Sequence, residues 1–211
     1  MFNGSSFRLK PMIAFWPGLL TSMSLILAIG AQNAFVIRQG LTKQHVLLVV
    51  VICAVSDAAL IVLGIGGLGA IIQGLPWLLE IIRWFGVIYL TWFGIKSLRS
   101  AFKEQSLDSS GTQSGSAKKA ALAVLGFTWL NPHVYLDTVI LMGSIGNQFA
   151  EDKWWFAFGA SLGSVIWFTS IGFGAKAASG LMKKPIFWKI LDLVIAAIMF
   201  SIAILLAVYK F

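Results

Sequence analysis

Cysteine is almost missing from this chain: Cys53 stands alone among 211 residues, which excludes an intramolecular disulfide and a dithiol relay. Histidine is as scarce. His45 and His133 are the only two, and their spacing offers neither a metal cluster nor the nucleophile and base arrangement of an intramembrane enzyme. Charge is thin as well, at 11% of residues against 58% hydrophobic, which excludes the profile of a soluble globular domain. Alternation of apolar and polar residues is lacking within the apolar runs, so barrel strands are excluded too.

What is present are six apolar stretches, running approximately from Ile13 to Ile37, Val46 to Ile72, Trp77 to Ile95, Ala120 to Met142, Trp154 to Phe173 and Ile190 to Val208. Each is near the length of about 20 helical residues that crosses a hydrocarbon core of about 30 Å. Helices satisfy their own backbone in lipid, so the fold class predicted is an all-α integral membrane protein. The first stretch reads as a span and not as a secretory signal, because it is too long and five more follow. Trp77, Trp84, Trp92, Trp154, Trp155 and Trp188 lie mostly near span ends, where aromatic belts anchor helices.

Alternate assignment of the loops puts Arg38, Lys43, Lys96, Arg99, Lys103, Lys118, Lys119, Lys176, Lys183, Lys184 and Lys189 on one side, eleven of the sixteen basic residues. Only Arg8, Lys10, Arg83, Lys153 and Lys210 fall on the other. The richer side is expected to face the cytoplasm, with both termini outside. This bias and anionic lipid account for the net charge of +8, and no nucleic-acid partner is implied. The run SLDSSGTQSGSAKK, ending at Lys119, reads as a flexible linker. It divides the chain into a three-helix unit at 1–97, a cytoplasmic linker at 98–119 and a second three-helix unit at 120–211. An odd number of spans per half predicts two inverted three-helix repeats. Asn33 precedes Val36 as Asn131 precedes Val134, and Ser56, Gly64 and Gly66 match Ser164, Gly172 and Gly174 in spacing.

Polar groups inside the spans mark the candidate site, since hydrocarbon offers them no water. Asp57 lies about eleven residues into its span, roughly 16 Å deep, where a carboxylate costs about 2.5 to 3.5 kcal/mol on insertion scales. Either it serves function or it pairs within the packing. Pro132 removes a backbone donor and disfavours helical geometry at Asn131, so a helix break is expected there and freed carbonyls can face a cavity. Asp137 follows about one and a half turns later. His133 and Tyr135 flank the break; each could bond a ligand, and His133 could equally cap freed carbonyls. In the first half Gln32 and Asn33 supply amides beside Gly30, which permits close backbone approach. Glu80 with Arg83, and Lys189 with Asp192, are spaced to pair structurally on their own helices.

With these segments in view, GAQNAFVIRQG (30–40), SDAAL (56–60) and TWLNPHVYLDTVILMGSIG from Thr128 onward resemble the lysine and arginine exporter family of bacterial inner membranes, over nearly the whole chain. The resemblance implies a small carrier, drawn with six spans or in some topologies five, that expels basic L-amino acids. Its second motif matches at Asn131, Pro132, Tyr135 and Asp137, and its second-span acid at Asp57. Ala31 stands where the family usually has proline, which leaves the first break resting on Gly30. A cationic cargo also follows from charge, because Asp57 and Asp137 have no basic partner at comparable depth in their spans. Substrate binding is therefore expected from Asp57, Asp137, Gln32, Asn33, Asn131, His133 and Tyr135, with breaks at Gly30 and Pro132. Asp57 and Asp137 are the expected proton-coupling pair. No cofactor or metal is expected. A neutral amino-acid or other small-metabolite exporter on the same fold remains the alternative, and a passive scaffold the third reading. Lysine against arginine, the coupling stoichiometry, and monomer against homodimer stay open.

Overall fold

The computed structural model describes residues 12–27, 30–68, 71, 74–102, 116–183 and 185–208. Most of the predicted linker, both termini, and the basic residues Arg8, Lys10, Lys103, Lys184 and Lys210 lie outside the described residues.

All regular structure among the described residues is helical. Helix α1 (Met12–Ile26) and helix α2 (Ala31–Thr42) meet at 83°, within the stretch Ile13 to Ile37 that was expected as one span with a break at Gly30. Gly30 opens α2 in an extended conformation (φ −96°, ψ 179°). Helix α3 (Val46–Leu63) runs on into a π-type turn, Gly64–Leu68, where Gly67 at φ 105° adopts the left-handed backbone that favours glycine. Helix α4 is Pro76–Phe102 and helix α5 is Ala117–Trp129. Helix α6 (132–147) starts at Pro132–Val134, widens to a π-type stretch at Tyr135–Leu141 and closes as Met142–Asn147. After a short turn at Ala150–Asp152 come helix α7 (Lys153–Ala177) and helix α8 (Pro185–Val208).

Four stretches are long and apolar enough to cross a membrane uninterrupted: Val46–Leu68, Glu80–Phe102, Ala150–Gly180 and Ile186–Val208. The bent pair α1 and α2 makes a fifth if its arms are one span. The stretch expected to cross between Ala120 and Met142 is two arms, α5 and α6, parted at Asn131 and Pro132. Proline explains that difference, because its nitrogen carries no hydrogen for the helical ladder. The chain is thus a multi-pass helical membrane protein. Its outer faces carry large apolar side chains such as Ile88, Leu47 and Phe102, in keeping with lipid as the surrounding solvent.

Helix α7 is the centre of the bundle and packs against α1, α2 and α3, while α4 packs along α8. Backbone closeness sets the first of these contacts: a Cβ on Gly18 would sit 2.2 Å from the Phe156 carbonyl oxygen, and one on Gly159 2.1 Å from that of Phe15. Small residues facing each other let membrane helices approach this way. Phe93 of α4 meets Phe35 of α2 and Phe127 of α5 edge-on in the core, with Phe93 and Phe127 ring centres 4.7 Å apart.

The expected pair of Glu80 and Arg83 forms, and Arg83 also donates to the Leu206 carbonyl (3.3 Å) near the end of α8. The pair expected between Lys189 and Asp192 does not. Asp192 is buried and holds Arg38 of α2 at 2.8 Å, while the Lys189 ammonium lies over the Phe102 ring. Asp192 faces into the bundle, and an arginine from another helix reaches it there.

Candidate functional site

Two helix breaks and the middle of α3 converge on one cavity of 320 Å³. Asp57 contributes from α3, where it is 3% exposed. Its Oδ2 accepts a hydrogen bond from the Ser164 hydroxyl of α7 at 2.9 Å, and the Ser22 hydroxyl of α1 lies 3.5 Å from that of Ser164. A buried acid is therefore tied to the central helix by one neutral donor.

The first break supplies Gly30, Ala31, Gln32 and Asn33 to the lining. Asn33 is committed to structure: its Nδ2 donates to the Ile26 carbonyl at the end of α1 (2.8 Å), and its Oδ1 accepts from Trp167 Nε1 of α7 (3.3 Å). Gln32 differs. Its Nε2 is buried without a hydrogen-bond partner among the described residues and stands on the cavity wall. The first turn of α2 presents backbone N–H groups that no helical carbonyl satisfies.

The second break is built by its own side chains. Asn131, in extended conformation, caps α6 by accepting from the His133 backbone N–H (3.1 Å), and Pro132 fills the first helical position. Tyr135 donates its hydroxyl to the Trp129 carbonyl (2.9 Å), bridging the interruption, and Trp129 Nε1 donates to the Ser56 hydroxyl on α3 (3.2 Å). Gly86 of α4 leaves room for the bend, since a Cβ there would meet the Leu130 carbonyl oxygen at 2.2 Å. Beyond the break the π-type stretch turns Asp137, half-buried, onto the cavity wall. Thr138 of the same stretch bonds the Val134 carbonyl. His133 lines the same cavity.

The structure thus gathers Gly30, Gln32, Asn33, Asp57, Asn131, His133 and Asp137 around one space, and leaves Pro132 and Tyr135 behind the wall as framework of the break. Ser164 and Ser22 were not singled out as site residues from sequence, because serine is common in membrane helices and neither motif contains them. No group of three or more metal-ligating side chains occurs among the described residues. Among the described residues no lysine or arginine lines the cavity, so its two carboxylates share the space without a guanidinium or ammonium beside them.

Comparison with known proteins decides the family. Residues 23–210 match the LysE type translocator family. The chain belongs to it. Membership in the LysE type translocators makes this a transport protein. Among its relatives, the arginine exporter protein ArgO of Klebsiella pneumoniae is 40% identical over 92% of this chain and 92% of its own length. A protein of Aeromonas salmonicida provisionally named as an amino-acid transporter, YggA, is 41% identical over 90% of this chain and 93% of its own. A protein of Mycobacterium bovis, also provisionally named as an amino-acid transporter, is 37% identical over 88% and 92%. No solved structure matches the chain. All the sequence-predicted site residues of this LysE type translocator fall within the matched segment.

Proposed function

We propose that this chain exports basic L-amino acids, arginine or lysine, from the cytoplasm across a bacterial inner membrane, in exchange for protons. The observation that carries the reading is that Asp57 and Asp137, from opposite halves of the chain, line one cavity into which no lysine or arginine projects among the described residues. Its 320 Å³ lies at the small end of the range for small-molecule sites, about 300 to 1,000 Å³, and suits a single amino acid. The names of the relatives point the same way: one is an arginine exporter, and others are provisionally named as amino-acid transporters.

In this reading the side-chain cation of the substrate sits between Asp57 and Asp137. Gln32 Nε2 and the uncapped first turn of α2 take the α-carboxylate, as helix N-termini receive anions. The second break cannot serve as an equivalent carboxylate site, because Pro132 lacks an N–H and Asn131 already occupies that of His133. Substrate orientation follows from this asymmetry. Moving a cation out of a negative cell opposes about 2.3 kcal/mol per charge for each 100 mV. When the substrate leaves, a carboxylate in that cavity would stand unpaired, and a proton taken up from outside neutralises it for the return.

Two inverted three-helix halves, 1–97 and 120–211, fit the contacts. Gly64 lies against the Thr138 and Val139 backbone of α6, and its sequence match Gly172 lies against Gly40 and Val36 of α2. Each half's broken first element so packs on the matching glycine of the other half's second helix. With the basic-rich side in the cytoplasm, both termini lie outside.

Counter-flow of labelled arginine and lysine in vesicles reconstituted with the purified protein tests the function. We expect exchange of both basic amino acids, abolished by Asp57→Asn with the variant still inserted. Exchange of leucine or alanine alone would assign the fold to neutral cargo, and wild-type arginine exchange by Asp57→Asn would remove the acid from the site.

A further inference from the structure

At the far end of α2 from the central cavity is a second, separate cavity of 380 Å³, of opposite character. Arg38, Lys96 and Lys119 line it from α2, α4 and α5, and among the described residues no Asp or Glu does. Arg38 is held by Asp192 through one nitrogen, which leaves the rest of a five-donor guanidinium for another acceptor. Lys96 and Lys119 have no carboxylate within ion-pair distance among the described residues; the Lys96 ammonium rests over the rings of Trp92 and Phe93. Between them is a buried polar atom without a partner among the described residues. Ser97 is 1% exposed, lines the cavity, and its Oγ makes no hydrogen bond, although a helical serine ordinarily has the carbonyl one turn back available. Gln39 adds a buried amide whose Oε1 is also unpartnered, and whose two ends exchange by a flip.

Three converging cations and an orphaned buried hydroxyl ask for an anion that accepts several hydrogen bonds. We propose that this cavity binds a phosphate group, presented by an anionic lipid headgroup or by a soluble phosphate. Phosphate matches the geometry because its several oxygens can accept at once from a guanidinium, two ammonium groups and a hydroxyl. Basic pockets between membrane helices on the side rich in lysine and arginine are where headgroup phosphates bind. The central cavity cannot compete for this ligand, since its carboxylates repel it.

Occupancy bears on transport through α2. That helix, about 18 Å long at 1.5 Å per residue, carries Gln32 and Asn33 into the central cavity at one end and Arg38, Gln39 and Thr42 into the phosphate cavity at the other. A phosphate bridging α2 to α4 and α5 stabilises the arrangement in which α2 is docked as here. It therefore biases the carrier toward this conformation.

The test uses purified full-length protein. Thermal unfolding midpoints are measured against inorganic phosphate in detergent, and against phosphatidylglycerol in phosphatidylcholine nanodiscs. The wild type is compared with Lys96→Gln/Lys119→Gln, with Ser97→Ala, and with Arg99→Gln/Lys118→Gln, which removes the same charge from exposed residues that do not line the cavity. We expect saturable stabilisation of the wild type and the Arg99/Lys118 control, an apparent affinity lower on the order of thirtyfold in the Lys96/Lys119 variant, and a smaller loss in Ser97→Ala. A response to phosphatidylglycerol alone identifies a lipid headgroup, and one to inorganic phosphate a soluble ligand. No response to either, or the same loss in the Arg99/Lys118 control, overturns the proposal.

Discussion

Asp57 keeps one hydroxyl partner, Ser164, in a cavity that no lysine or arginine lines among the described residues. Hydrogen bonds to a charged group are worth about 1.5 to 3 kcal/mol. Ser164→Ala should therefore lower arginine exchange by about tenfold or more without removing the protein from the membrane, read as counter-flow rate against quantified protein. Unchanged exchange would show that the carboxylate is positioned by packing alone. At this scale the sequence was informative where chemistry is costly in lipid: Asp57, Asp137 and Gln32, singled out for that cost, stand on the cavity wall. It was silent on the partners. Ser164 lies on another helix, and Arg38 reaches Asp192 across most of the chain, so spacing along the helix favoured Lys189 instead. Asn33 and Tyr135, expected at the ligand, use their polar atoms on Ile26, Trp167 and Trp129.

The broken elements position these residues, and the two breaks have different causes. Pro132 stops the ladder chemically, while Gly30 opens α2 in an extended backbone that any residue adopts. The proline break was legible because its cause is local. The 83° turn at the first break was not, since the motif has Ala31 where its resemblance led to proline, and the angle is set by packing of both arms on α7. The π-type stretch that turns Asp137 inward also has no sequence signal, since it depends on which carbonyls a helix finds after an interruption. Pro132→Ala should restore an N–H, favour a continuous helix through Asn131 and reduce transport with normal protein levels. Accessibility of cysteines placed singly along 128–137 checks this. A helical pattern identical in wild type and variant would mean that the interruption has no structural role.

Across the molecule, the bent pair α1 and α2, the break before α6 and the spans α3, α7 and α8 line the cavity, with α7 touching α1, α2 and α3, while α4 packs along α8 away from it. Composition made the membrane class plain, since nothing else hides this much apolar surface. The exchange of contacts between halves rests on close approach that spacing only hints at. Gly64→Ala would push a Cβ to 2.5 Å from the Val139 carbonyl oxygen, whereas Gly66→Ala, two residues on, meets nothing within 4 Å. Overpacking of this kind costs about 1 to 3 kcal/mol. The thermal midpoint of purified protein should fall for Gly64→Ala and stay near wild type for Gly66→Ala; equal midpoints would contradict the packing of the halves. The central claim, a cationic amino acid exchanging with protons on Asp57 and Asp137, is met most directly by calorimetry of arginine binding to purified protein in two buffers of different ionisation enthalpy. Near neutral pH the account predicts proton release on binding, reduced together with affinity by Asp137→Asn. Arginine binding with no proton release at neutral and acidic pH would contradict it.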